Sequence, residues 1–309
     1  MAQNDVERGA MMQDGAERNG TPPDAAQRRA APQADEAAEL NAKGERLYGL
    51  LASYQSVAVA FSGGVDSSLL LDVAHEALGD NCLALTAYSA SFPQRERAAA
   101  AAFCEQRGIA HDEVANEELE IEGFCTNPPN RCYLCKRSLF EKLLAVAAER
   151  GIAVVAEGSN HDDLGDYRPG LTAIAELGIA SPLREVGLTK AEVRALARRR
   201  CLAVWNKPAF ACLASRLPYN TPITSELLAR IDAAEQFLLD VGLGQVRVRV
   251  HGDVARIETD ARGDEALLSA QLRGAVNRRL QELGFAYVAL DLGGYRSGSM
   301  NRGLSHPDT

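Results

Sequence analysis

Apolar and polar positions follow two different rhythms along this chain, and the change between them divides it. Up to residue 199, short β-rich apolar runs take turns with longer stretches of helical period. The pattern predicts a helix over 39–54, a strand over 57–61 and a helix over 66–78. A strand over 82–87, a helix over 93–107 and a short strand near 110–115 come next. A helix over 133–149 leads into a strand over 153–157, and Thr189 is placed to cap a helix over 189–199. Strands that alternate with helices in this way build a parallel sheet covered on both faces. After Pro222 the rhythm changes. Residues 223–241 read as a helix, and 245–250 and 254–259 as strands that turn at His251-Gly252-Asp253. A helix over 264–283 and a strand over 286–292 complete the pattern. The expected fold is α/β, a parallel twisted sheet with helices on both faces, followed by a smaller α+β domain. The expected limits are a disordered tail over 1–38, a first domain over 39–215, and a C-terminal domain over 216–309 for substrate binding or oligomerisation. The tail nearly lacks large aliphatic residues.

Composition narrows the class. The 309 residues suffice for a large core. Hydrophobic residues make up 46% and aromatic ones only 6%, as suits a soluble chain rich in Ala, Leu and Val. No uncharged apolar run approaches the roughly 20 residues of a membrane span, so no membrane partner is expected. The formal charge of −9 argues against a nucleic-acid partner. Seven cysteines without a signal peptide point to reduced thiols and a cytoplasmic location. Cys82, Cys104 and Cys201 are expected to be core residues.

Candidate chemistry begins where the first strand ends. Val57–Phe61 runs into Ser62-Gly63-Gly64-Val65-Asp66-Ser67-Ser68 and then into an apolar helix. Strand, glycine turn and helix start form a phosphate cradle, in which backbone N–H groups and the positive helix end face an anion. Ser67 and Ser68 add hydroxyl donors. The Gly-Lys-Ser/Thr ending of a Walker A loop is missing. The segment resembles the PP-loop signature SGGxDS of ATP pyrophosphatases, which release pyrophosphate and leave AMP on a substrate. Parallel sheets bind ligands at the carboxyl ends of their strands. That rule sets Ser62–Ser68, Ala87–Ser91 and Glu157–Asp163 on one rim.

A second constellation is Arg131-Cys132-Tyr133-Leu134-Cys135-Lys136, delivered by a loop to a helix start. A C-x-x-C here can bind metal, bind a cluster or exchange thiols. The helix dipole, Arg131 and Lys136 are expected to favour thiolates. Cys212 is the third candidate, and Arg216 beside it can hold its thiolate or a phosphate. Three cysteines with no fourth equivalent fit an iron–sulfur cluster with one open iron, whereas structural zinc takes four ligands. Glu157, Ser159, Asp162, Asp163 and Asp166 make the rim polar and acidic, for Mg²⁺ or a ribose, or simply to form a turn. Arg168 is a candidate phosphate partner. Arg247 and Arg249 alternate with valines and so share one strand face, either as a phosphate clamp or as an exposed surface. His75, His111, His161, His251 and His306 show no ligand spacing.

The segments SGGVDSS, RCYLCK, EGSNHDDLGDYRPG, ACLASRLPYNTPIT and LDLGGYRSGSMN, in this order, resemble the LarE family over residues 40–302. That family comprises ATP-dependent sulfur transferases that build the nickel-pincer nucleotide cofactor of lactate racemase. The resemblance implies ATP, Mg²⁺ and a 4Fe–4S cluster as cofactors, with Cys132, Cys135 and Cys212 as cluster ligands. It implies pyridinium-3,5-biscarboxylic acid mononucleotide as substrate, a sulfide source as partner, and a homo-oligomer. Catalytic roles fall on Ser62, Asp66 and Cys212. Ser62, Gly63, Gly64, Asp66, Ser67, Ser68, Glu157, Ser159, Arg168, Arg216, Arg247 and Arg249 are the expected ligand-binding residues. In members without a cluster, the cysteine at the Cys212 position gives up its own sulfur and becomes dehydroalanine. Two other classes stay open: another PP-loop enzyme such as a tRNA thiolase, and a non-catalytic nucleotide-binding regulator.

Overall fold

Helix α1 spans Ala25–Ala52, and the boundary between two compact units, residues 1–41 and 42–309, falls inside it. The computed structural model describes residues 25–165, 169–208 and 210–296. Helical structure thus starts well before residue 39, inside the stretch expected to be disordered. Both sheets belong to the unit of residues 42–309.

Four parallel strands form the first sheet: β1 (Val57–Ala60), β2 (Cys82–Tyr88), β3 (Ala110–Ala115) and β4 (Val154–Ala156). The order β3-β2-β1-β4 puts β1 in the interior, and Val57, Ala58 and Val59 are fully buried. A continuous apolar run is what a strand covered on both faces requires. The chain steps outward from β1 to β3 and then returns to the other side of β1. The loops after β1 and β4 therefore part at a topological switch point, where open α/β sheets bind ligands. Helices α2 (Val65–Leu78), α3 (Gln94–Arg107) and α4 (Arg131–Glu149) connect the strands, and α5 (Pro169–Glu176), α6 (Pro182–Glu185) and α7 (Lys190–Arg199) come after β4. Thr189 caps α7 in a reciprocal capping box with Glu192, as expected. The carboxylate of Asp72 on α2, itself buried, pairs with both Arg107 and Arg200 and so ties α2 to the ends of α3 and α7.

The second sheet has the order β5-β6-β7. Strands β5 (Val246–His251) and β6 (Val254–Thr259) form the expected antiparallel hairpin, and β7 (Tyr287–Leu290) joins β6 in parallel. Helices α8 (Ser225–Asp240), α9 (Ala261–Leu268) and α10 (Ala270–Glu282) accompany it. The helix expected over 264–283 is in fact two, because Ser269 between α9 and α10 adopts an extended conformation. The core beneath this sheet includes Val248, Ile257 and Phe285, and also Phe124, Leu213 and Leu217. Chain on both sides of residue 216 therefore shares one core. Cys82 and Cys104 are buried as expected. Cys201 is exposed instead, since it follows the C-cap of α7 in a left-handed turn (φ 55°).

One ion pair lies fully inside this junction. Arg216 and Glu235 of α8 are both 0% exposed and meet in a bidentate contact at 2.8 and 2.9 Å. The remaining donors of Arg216 reach the carbonyls of Ala211 and Cys212 and Oγ of Ser215. Glu235 also accepts the Val248 N–H at 3.0 Å and is approached by Arg95 of α3 at 3.4 Å. Burial alone would raise the Glu235 pKa. The Arg216 charge and hydrogen bonds, the Val248 N–H and Arg247 outweigh burial and hold it below the usual range. A depressed carboxylate stabilises the fold above its unfolded pKa and loses that contribution as pH falls through the folded one. Arg216→Met should cost about 3–5 kcal/mol at neutral pH, because it strands a buried charge. Urea titrations of wild type and variant should converge at acid pH. An undiminished difference there would show that the lost stability is not that of the ion pair.

Candidate active site

The glycine loop leaves β1 at Phe61. Gly63 is left-handed (φ 70°), a conformation that glycine alone adopts without strain, and Gly64 is the N-cap of α2. Ser67 Oγ accepts from the Ser62 N–H at 3.3 Å, lies 3.2 Å from Ser62 Oγ and donates to the Gly64 carbonyl at 3.2 Å. Ser68 Oγ is buried and has no partner among the described residues. A bare hydroxyl at a helix start is what an incoming ligand or water satisfies. Asp66 accepts from Asn160 Nδ2 at 3.1 Å and pairs with Lys190, the first residue of α7. Lys207 Nζ donates to the Gly63 carbonyl at 3.1 Å and to Glu96 at 2.6 Å.

The turn after β4 packs directly on this loop. A Cβ at Gly158 would lie 2.9 Å from the Ser67 nitrogen, so only glycine allows the approach. Glu157 accepts from the Ser159 N–H and Oγ at 3.0 and 2.7 Å and from Ser181 Oγ at 2.6 Å. Asp162 and Asp163 accept the N–H groups of Lys190 and Asn160, both at 2.9 Å. These carboxylates therefore shape the turn. Asp166 and Arg168 lie outside the described residues.

The thiols come from two segments. Cys132 and Cys135 lie one turn apart at the start of α4. Cys132 is exposed, and Cys135 and Cys212 are half-buried. Buried Arg131 donates to Asn127 Oδ1 and, at 3.1 Å, to the Ala214 carbonyl, which binds the Cys212 segment to α4. On its other side the Leu213 N–H donates to the Ser91 carbonyl at 2.9 Å, and Cys212 hydrogen-bonds Ser91. Asn116 Nδ2 lies 3.8 Å from Cys135 Sγ. Burial pushes the Cys135 thiol up, and Cys212, Glu118 and Cys132 add to this against the pull of Arg131. Burial likewise raises Cys212, with Arg131 and Ser91 opposing and Glu118 and Cys132 adding. The preference for a thiolate expected of the C-x-x-C pair is thus reversed at Cys135, because desolvation outweighs the pull of Arg131. The thiols sense one another's charge and so share a neighbourhood. Their donor chemistry suits a cluster, but among the described residues no group of three or more Cys, His, Asp or Glu is arranged to hold a metal ion.

Arg247 and Arg249 share a face of β5 as expected, and that face is buried rather than exposed. Arg249 reaches Glu258 at 3.0 and 3.1 Å and the Ser215 carbonyl at 2.6 Å. Arg247 lies over the Tyr295 ring at 5.0 Å. Burial lowers its pKa to about 10, helped by repulsion from Arg216 and Arg249 and opposed by Glu235 and Tyr295. Glu235 occupies the place on Arg216 where sequence reasoning put a thiolate or phosphate. Sequence reasoning also missed Lys190, Lys207, Asn116 and Glu118. Lys190 left a trace, since a cation in the first turn of a helix opposes the macrodipole and implies another charge to serve.

Comparison with known proteins agrees with this arrangement. A family model described as asparagine synthase matches residues 50–124, which include β1, the glycine turn and β3. The pyridinium-3,5-bisthiocarboxylic acid mononucleotide synthase of Lactiplantibacillus plantarum is 42% identical over 270 residues, covering 87% of this chain and 97% of that protein. An uncharacterized protein of Synechocystis sp. is 41% identical, over 86% of this chain and 99% of its own. One of Methanocaldococcus jannaschii is 29% identical, over 79% and 92%. With the glycine turn in place at the end of β1, and with the synthase matched along nearly its whole length, this chain belongs to the LarE family of PP-loop sulfur transferases.

Proposed function

We propose that this chain is an ATP-dependent sulfur transferase of nickel-pincer nucleotide biosynthesis. It adenylates the carboxylates of pyridinium-3,5-biscarboxylic acid mononucleotide and converts them to thiocarboxylates. The observation that carries this reading is the joining of two segments. The loop suited to pyrophosphate and the segment bearing Cys212 touch through Lys207 and Gly63, and Cys212 is held at the end of β2 through Ser91. The name of the Lactiplantibacillus relative supplies the substrate class.

In the first step a substrate carboxylate oxygen attacks the α-phosphorus of ATP, and pyrophosphate leaves. The N–H groups at the start of α2 and the hydroxyls of Ser62, Ser67 and Ser68 stabilise the departing charge. Asp66 would hold Mg²⁺, which supplies further neutralisation of the phosphates. In the second step sulfur attacks the activated carbonyl carbon and AMP leaves with the carboxylate oxygen. The substrate's ribose phosphate docks against Arg247 and Arg249. An anion there offsets the burial and the guanidinium repulsion that together lower the Arg247 pKa.

For the sulfur source, Cys132, Cys135 and Cys212 would hold a 4Fe–4S cluster, which supplies sulfide when bound. The grouping of the three thiols and their lack of a disulfide favour this reading. A second reading has Cys212 spend its own sulfur, and the lack of a three-ligand group among the described residues favours it. Seven thiols without a disulfide suit a reducing cytoplasm. An external sulfide source and a homo-oligomeric state complete the proposal, and both come from the family resemblance.

ATP, Mg²⁺ and the dicarboxylate nucleotide should yield AMP and pyrophosphate, resolved by anion-exchange chromatography. Asp66→Ala should slow this by roughly a hundredfold. ADP as the product would exclude the adenylation. Arg249→Ala should raise the KM for the mononucleotide about tenfold, the loss of one charge-assisted contact, and leave ATP affinity unchanged. Equal weakening of both ligands would assign the arginine to the nucleotide instead. Reconstituted protein should bind iron, and Cys132→Ala, Cys135→Ala and Cys212→Ala should each lose it, while Cys82→Ala, Cys104→Ala and Cys201→Ala keep it. Iron-free protein that performs one turnover and ends lighter by the mass of H₂S at Cys212 would establish the second reading.

A further inference from the structure

The segment that carries Cys212 is laid along the nucleotide side of the sheet. Lys207 Nζ donates to the Gly63 carbonyl at 3.1 Å and to Glu96 of α3 at 2.6 Å. Phe210 meets Phe92 edge to face, with ring centres 5.6 Å apart. The Leu213 N–H closes the row on the Ser91 carbonyl at 2.9 Å. The Gly63 C=O and the Gly64 N–H belong to one trans peptide unit and point in opposite directions. An ammonium that holds the oxygen therefore holds the N–H aimed the other way. Gly64 is the N-cap of α2, so that N–H belongs to the helix start where an anion would sit. Hydrogen bonds at the two ends of one peptide polarise each other and strengthen together.

The geometry points to Lys207 as a positioning residue that couples the pyrophosphate loop to the Cys212 segment through the Gly63–Gly64 peptide. An anion on the Gly64 N–H tightens the Lys207 contact and, with the Phe210 and Leu213 contacts, restrains Cys212. By reciprocity, the restrained segment keeps the N–H aimed at the anion. The placement of Cys212 then depends on whether the pyrophosphate site is filled. This coupling rests on the proposed nucleotide role of the loop.

Inorganic pyrophosphate is the probe, because it can fill the loop without an adenosine or a substrate to screen Cys212 directly. The rate of Cys212 alkylation by iodoacetamide is read by peptide mass spectrometry, with exposed Cys201 as the reference thiol. Binding of pyrophosphate is measured separately by calorimetry. In wild type, saturating pyrophosphate should slow Cys212 alkylation roughly tenfold, the equivalent of one charge-assisted contact. Lys207→Met should bind pyrophosphate more weakly and, once saturated, show no slowing, whereas Lys207→Arg should restore it. Glu96→Gln leaves the Gly63 contact in place and should keep the slowing. Equal slowing in saturated Lys207→Met, its loss in Glu96→Gln, or its absence in wild type that binds pyrophosphate would each overturn the coupling. Wild type that binds no pyrophosphate would overturn the reading of the loop itself and the coupling with it.

Discussion

A single buried ion pair holds the chemistry of this protein together. Arg216 lies just beyond Cys212, and Glu235 lies on the helix beneath the small sheet. Their contact draws α8, β5 and the Cys212 segment to one point, and Arg95 brings α3 to the same carboxylate. Two charges removed from water gain little net stability from each other, but removing one of them is expensive. Such a pair acts mainly to specify an arrangement. Here it leaves one place for the backbone of residues 211–216, because three further acceptors of that segment converge on the same guanidinium.

The proposed sulfur site sits under tension between burial and reactivity. Sulfur attacks as a thiolate or sulfide, yet burial pushes the thiols of Cys135 and Cys212 away from that form. Arg131 opposes burial, and Glu118 reinforces it. A resting site with raised thiols is protected from stray alkylation and oxidation. Its activation has to come from something that arrives, whether a metal centre, the activated substrate or a shift of the segment. The proposed nucleotide loop is in a similar state. Ser68 Oγ has no partner among the described residues, and Asp66 is paired with Lys190.

Local features were readable in the chain where their determinants are contiguous. The strand, glycine turn and helix start of residues 57–68 stand side by side, and so do the Thr189 cap and the hairpin around Gly252. The break at Ser269 was missed because a serine in a helical rhythm looks like an exposed position until its conformation is known. The exposure of Cys201 depends on a left-handed turn that its composition does not announce. The thiol protonation was misjudged for a different reason. Dipole and neighbouring charge are local and readable, whereas desolvation is set by chain that is distant in sequence. The partners of Arg216, Asp66 and Gly63 likewise come from remote segments, and no periodicity encodes them.

Gly158 touches the backbone of Asp66 and Ser67, not their side chains. The spacing of the two loops at the switch point is therefore set by main chain resting on main chain. A side-chain exchange elsewhere on the rim can alter charge or affinity, but it cannot change that spacing. One methyl group at residue 158 would wedge the two walls apart and misalign the donors at the start of α2 with a phosphate. What the site admits is thus partly an exclusion, enforced at a position where the protein carries no side chain.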